Sequence, residues 1–107
     1  MGKRVLNHYD FFMSKVFLYV DIDVKPGQRE EFLSKLKVHA NTVRGEQGCE
    51  FLDLYLEKDS PNKVFVWEIW TTREDWDVHM KNDASAAWQK AASPLVIGEQ
   101  ITVLAQA

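Results

Sequence analysis

The sequence predicts an α+β fold, a four-stranded antiparallel sheet with two helices on one face. Three observations predict it. Apolar residues alternate with a period of two over residues 16–24, they recur at three and four over residues 28–44, and turn residues separate every patterned stretch from the next.

The first strand has Val16, Leu18, Val20, Ile22 and Val24 on one row and Phe17, Tyr19, Asp21 and Asp23 on the other. Lys25-Pro26-Gly27 stops it, because proline removes a ladder donor and glycine turns freely. The helix over 28–44 buries Phe32, Leu33, Leu36, Ala40 and Val43 and turns Arg29, Glu30, Lys35 and Lys37 to water. After Arg44, Gly45 and Gly48 are both suited to left-handed cap geometry. The next strand, over 50–58, alternates Leu52, Leu54 and Leu56 with Phe51, Asp53, Tyr55 and Glu57. It pairs as a hairpin, across the turn residues 59–62, with a strand over 64–70.

Thr71 and Thr72 each offer an N-cap oxygen, with Glu74 and Asp75 three residues on, so a second helix starts at about Arg73. Trp76 and Met80 share one of its faces, with His79 beside them. Asn82-Asp83 resets the chain before a helical piece over 84–92 built around Trp88. Ser93-Pro94 closes it, and the last strand covers 97–105 with Ile101 and Val103 on one row. The order β-α-β-β-α-β is the split βαβ, ferredoxin-like arrangement. Its helix-free face carries Phe17, Tyr19, Phe51 and Tyr55, with Trp70 a further candidate, and that much aromatic surface predicts a homodimer packed sheet to sheet.

A chain of 107 residues with 46% apolar content is one domain with a core of its own, assigned here to residues 15–105. Residues 1–14 read as an N-terminal extension, since Met13-Ser14-Lys15 resembles a natural start. The net charge of −3 lacks the basic footprint that phosphate backbones demand, so no nucleic-acid partner is expected. A single cysteine, Cys49, rules out an intrachain disulfide and a thiolate metal cluster. Polar residues Asn7, His8 and Asp10 interrupt any leader-like apolar run, so neither a signal peptide nor a membrane partner is expected and a cytoplasmic location is the default. Four tryptophans suit an aromatic-lined pocket as well as a core.

Four short segments, in this order, resemble the antibiotic biosynthesis monooxygenase domains, small dimeric α+β barrels: Val24-Lys-Pro-Gly27, Arg44-Gly-Glu-Gln-Gly-Cys49, Glu68-Ile-Trp70 and Trp76-Asp-Val-His79. The resemblance spans about residues 15–105. It implies a dimeric barrel and a choice among cofactor-free oxygenation of phenols and quinols, haem degradation, and isomerisation of a phosphorylated sugar. Ala84 stands where the family often has a second histidine, which argues against a mechanism needing a histidine pair. The first strand has no asparagine and Trp88 lies where a haem-ligating histidine would be expected, which argues against haem degradation.

No Gly-rich phosphate loop, paired histidines or nucleophile elbow is visible, so no cofactor and no metal are expected and any electrons must come from an aromatic substrate that reacts with oxygen directly. Histidine suits the removal of a phenolic proton because imidazole titrates near neutrality, which makes His79 the candidate base; its bland alternative is a structural core histidine. Glu68, a carboxylate among Val66, Trp67, Ile69 and Trp70, needs a partner such as His79, Arg44 or a substrate hydroxyl, and is read as an orienter of His79 or a substrate acceptor, or as half of a cross-strand salt bridge. Trp70, Tyr55 and Trp76 are candidate ring contacts and Arg44 a candidate anion contact, with packing and helix-end roles as their plain readings. Glu46 reads as a turn carboxylate and His39 as a core-edge residue. Three functions remain in view: a cofactor-independent monooxygenase of quinol-like or polyphenolic molecules, an isomerase of a small, phosphorylated hydroxyketone, and a non-catalytic ligand-binding dimer.

Overall fold

The structure, a computed structural model, describes residues 14–107. Residues 1–13 of the expected extension lie outside them. The elements run β1 (Val16–Val24), α1 (Arg29–Arg44), β2 (Cys49–Leu56), β3 (Lys63–Trp70), α2 (Arg73–Lys81), α3 (Asp83–Ala92), a 3₁₀ turn (Ser93–Leu95) and β4 (Val96–Leu104). The four strands form one sheet in the order β2-β3-β1-β4, every neighbouring pair antiparallel. This is the ferredoxin-like arrangement, with the second helical region divided into α2 and α3. No helix among the described residues is long and apolar enough to cross a membrane.

The period-two rows decide what each face of the sheet meets. Val16, Leu18, Val20, Ile22 and Val24 of β1 are buried, as are Val64, Val66, Glu68 and Trp70 of β3. Against this row α1 lays Phe32, Leu36, Ala40 and Val43, its four buried positions, spaced by three and four so that one stripe of the helix is covered. Trp70 is wholly buried on this helix side and not on the open face where it was a candidate. The reason is register: Trp70 and Glu68 are two residues apart and share the row of Val66.

Among the described residues no helix covers the opposite face. Tyr19, Phe51 and Tyr55 are exposed there, and Tyr19 stacks on Phe65 with ring centroids 5.5 Å apart and meets Trp67 edge-on. Lys63 ties Asp21 and Asp23 together on β1 at 2.9 and 2.7 Å, and these two carboxylates hold its ammonium well above the usual lysine range.

Two details of chain reversal bear on the site. Of the two glycines after α1, only Gly48 is left-handed (φ +84°); Gly45 continues the right-handed turn at φ −87°. A side chain at Gly48 would also run into Asp75, so this position needs glycine for space as well as for backbone freedom. The second detail is the β2–β3 register shift between Cys49 and Phe51, a bulge that leaves Glu50 without a partner residue on β3. Thr72, not Thr71, caps α2 by accepting from the Asp75 amide at 3.1 Å. Thr71 instead donates both its amide and its hydroxyl to the Gly48 carbonyl. The turn over residues 45–48 is thereby fastened to the β3–α2 junction.

Candidate active site

The space between the sheet, α1 and the α2–α3 pair is a cavity of about 360 Å³, open at one end. Val20, Ile22, Val66 and Glu68 form its floor and Leu36, His39, Ala40 and Val43 its roof. His79, Met80, Ser85 and Trp88 close the side, while Gln89, Ser93, Ile97 and Glu99, all exposed, mark the mouth. The volume suits a ligand of two or three fused rings, at the small end of the roughly 300–1,000 Å³ that ligand sites occupy.

His79 enters this cavity from the last turn of α2. Its Nδ1 lies 2.8 Å from Glu46 Oε1, and Asn82 Nδ2 donates to the same oxygen at 2.8 Å. Asn82 Oδ1 caps α3 by accepting from the Ser85 amide at 2.8 Å, which fixes the amide group with its NH₂ toward Glu46. A carboxylate can only accept, so the His79–Glu46 bond places the proton on Nδ1 and leaves Nε2 as the ring nitrogen available to a ligand. Glu46 Oε2 is buried without a partner among the described residues, of which His79 and Asn82 carry the compensation of that side chain. The ring plane of His79 is set by Trp70, stacked on it at 4.7 Å between centroids and 27° between planes. Ser85 Oγ donates to the His79 carbonyl at 2.6 Å and joins the two helices at their break.

Glu68 lies on the floor, where Trp70 Nε1 donates to its Oε1 at 3.0 Å. Burial raises its carboxyl above the usual range, the Trp70 hydrogen bond and His79 oppose the rise, and Glu99 and Glu46 add to it. Glu99 is likewise raised by burial. His39 stacks face to face on Trp88, 4.7 Å apart and 5° from parallel. Burial lowers its pKa, repulsion from His79 adds to that, and Glu46 opposes it, so the neutral ring is favoured. Among the described residues no three His, Cys, Asp or Glu side chains gather as a metal site would require.

Of the residues singled out in the sequence, His79 and Glu68 share the cavity. The partner that orients His79 is Glu46, not Glu68, because the 45–48 turn docks over α2 and brings its carboxylate to Nδ1. Trp70 does not line the cavity; it backs His79 from behind. Trp76 is buried in the core beneath the Arg73 guanidinium, 4.7 Å from its ring, and also lies outside the cavity lining. Tyr55 is on the far side of the sheet with Tyr19, Phe65 and Trp67. Arg44 points to the Leu52 carbonyl at 2.9 Å, to Asn41 and to Asp53, and takes no part in the cavity. His39, Trp88, Asn82 and Glu99 were not recognised as site residues from sequence. Glu99 had a readable signal, since it shares the inward row of Ile101 and Val103; the meeting of Glu46 with Asn82 had none.

A profile of the antibiotic biosynthesis monooxygenase family matches residues 16–91. The chain belongs to the antibiotic biosynthesis monooxygenase family. Solved structures share its fold. One is a candidate antibiotic biosynthesis monooxygenase of Caulobacter crescentus, 22% identical, covering 94% of this chain and 99% of that one with a TM-score of 0.85. A second candidate of the same kind, from Nitrosomonas europaea, is 18% identical and covers 90% and 93% at a TM-score of 0.82. A conserved protein of Methanosarcina mazei is 21% identical and covers 92% and 99%, again at 0.82. An uncharacterized protein of Synechocystis sp. is 30% identical over 61 residues, which are 57% of this chain and 42% of that relative, so the match spans less than half of the curated protein.

The buried floor of this antibiotic biosynthesis monooxygenase domain yields a pH-dependent prediction. A carboxyl whose folded-state pKa is raised contributes stability that is complete below its ordinary range and is lost as pH rises through the folded value. Glu68→Gln cannot ionise and escapes that loss. Its melting temperature relative to the parent should therefore increase between about pH 4 and about pH 8; a difference that stays constant across this window in thermal unfolding would contradict the raised carboxyl.

Proposed function

We propose that the domain is a cofactor-independent monooxygenase of quinol-like or polyphenolic small molecules, with His79 as general base. The observation that carries this reading is His79 itself: its Nδ1 is held by Glu46, its plane is held by Trp70, and the ring borders an apolar cavity of aromatic dimensions. A phenol lying against the Trp88 and His39 rings would give its proton to Nε2, and Glu46 would stabilise the imidazolium that forms. Glu68, held toward its protonated form by burial, would donate to a second substrate oxygen.

The phenolate then supplies the electrons. One passes to oxygen, the radical pair joins as a carbon–oxygen bond, and the imidazolium protonates the resulting peroxide. Loss of the hydrogen on that carbon breaks the oxygen–oxygen bond, so one oxygen atom remains as a quinone carbonyl and the other leaves as water. No external reductant enters this balance, and the protein's part is to orient the ring, move two protons and exclude bulk water.

The isomerase reading would use the same His79 and Glu68 as base and acid. A phosphorylated substrate would also want a cation, and among the described residues no lysine or arginine lines the cavity, which is why the oxygenase is preferred.

Purified protein should consume oxygen with a quinol or polyphenol after chelation and without added flavin, nicotinamide or metal. His79→Ala should slow it by about 10²- to 10⁴-fold, mainly in kcat. Loss of activity on chelation, or a variant as fast as the parent, would show the mechanism to be wrong, and proton exchange without oxygen uptake would favour the isomerase.

The same proposal includes a homodimer through the helix-free face, supported by exposed Tyr19, Phe51 and Tyr55 beside Phe65 and Trp67. Such an interface should bury on the order of 2,000 Å² or more. Sedimentation should give a dimer at micromolar concentration, and a stable monomer would refute this part.

A further inference from the structure

We propose that the cavity sorts ligands by charge: Glu99 at its mouth admits uncharged or amine-bearing aromatic molecules and turns away carboxylates and phosphates. The Glu68 and Glu99 carboxyls flank the central strand β1 on its helix-facing row. Glu68 on β3 pairs with Leu18, and Glu99 on β4 pairs with Ile22, one pleat repeat either side of Val20. A ligand that fills the space above Val20 and Val66 therefore has Glu68 at one end and Glu99 at the other.

Among the described residues nothing in the lining offsets the Glu99 carboxylate. No lysine or arginine among them reaches the cavity; Arg44 is committed to the Leu52 carbonyl, Asn41 and Asp53, and Arg73 to Asp77 and the Trp76 ring. His79 is hydrogen-bonded to Glu46 at 2.8 Å. His39 is held toward the neutral form by burial and by His79. Glu99 is exposed at the mouth, so an ammonium group there could pair with it while staying partly hydrated.

A like charge brought to about 6 Å from Glu99 at an intermediate dielectric is disfavoured by about 10- to 100-fold in affinity once salt screening is allowed for. The inference rests on the cavity being the ligand site proposed above, but not on any reaction taking place there. Its test therefore reads binding alone. Three naphthols would be titrated into the full chain by calorimetry, without oxygen and at about pH 8, well above the ordinary carboxylate range. They differ in one group on the far ring: aminomethyl, hydroxymethyl or carboxylate.

The carboxylate should bind at least about tenfold more weakly than the hydroxymethyl compound. Glu99→Gln should bring the charged pair to within about threefold of the neutral one. A carboxylate that binds as tightly as the hydroxymethyl naphthol, or a spread that Glu99→Gln leaves unchanged, would overturn the charge selection. If none of the three binds, the cavity is not the ligand site and both readings fall. Charge-selective binding with no oxygen uptake when air is admitted would support this inference while removing the oxygenase.

Discussion

The docking of one short turn, residues 45–48, onto both ends of α2 is the constraint on which the site depends. At the start of the helix, the Gly48 carbonyl accepts from Thr71 and Gln47 reaches Asp75 at 3.4 Å. At its end, Glu46 accepts from His79 and Asn82 through one oxygen. Asn82 is also the residue that ends α2 and caps α3. The break between the helices, the orientation of the imidazole and the wall of the cavity are thus set by the same few hydrogen bonds. Leaving a buried polar group without its hydrogen-bond partner typically costs about 1–3 kcal/mol. The Glu46 and His79 side chains are only 18% and 11% exposed, so the loss of either exposes the other to that cost.

The sheet supplies the rest by simple alternation. A carboxylate in the row of Val64 and Val66 cannot avoid the helix side, so Glu68 is buried and its carboxyl is pushed up. Trp70, two residues on, gives Glu68 a hydrogen bond and His79 a stacking surface at once. One strand therefore sets both the acidic floor and the plane of the base. The opposite row of the same strands puts Phe65 and Trp67 on the other face, beside Tyr19, so the site and the uncovered aromatic face come from one period-two pattern read on its two sides.

That pattern explains which parts of the molecule were legible in the sequence. The strand rows of Val16–Val24 and Lys63–Trp70 and the three-and-four stripe of α1 are local periodicities, and the fold followed from them. So did the inward lean of His79 beside Met80, which is a helix-spacing argument. The partnership of Glu46 with His79 joins residues 33 positions apart through a turn whose docking depends on a single left-handed glycine, and no local spacing encodes it. Trp70 lies outside the cavity lining for a related reason. Alternation fixes the side of the sheet a residue takes but not its depth, and His79 is stacked on Trp70 at 4.7 Å.

The central claim is that Glu46 holds the proton of neutral His79 on Nδ1 and so leaves Nε2 as the unprotonated ring nitrogen. Nitrogen chemical shifts of the His79 ring, measured in ¹⁵N-labelled protein at a pH where the ring is neutral, test this directly. The account predicts a protonated Nδ1 and an unprotonated Nε2, with that preference lost in Glu46→Ala. An Nε2–H tautomer in the parent, or the same tautomer ratio with and without Glu46, would contradict it.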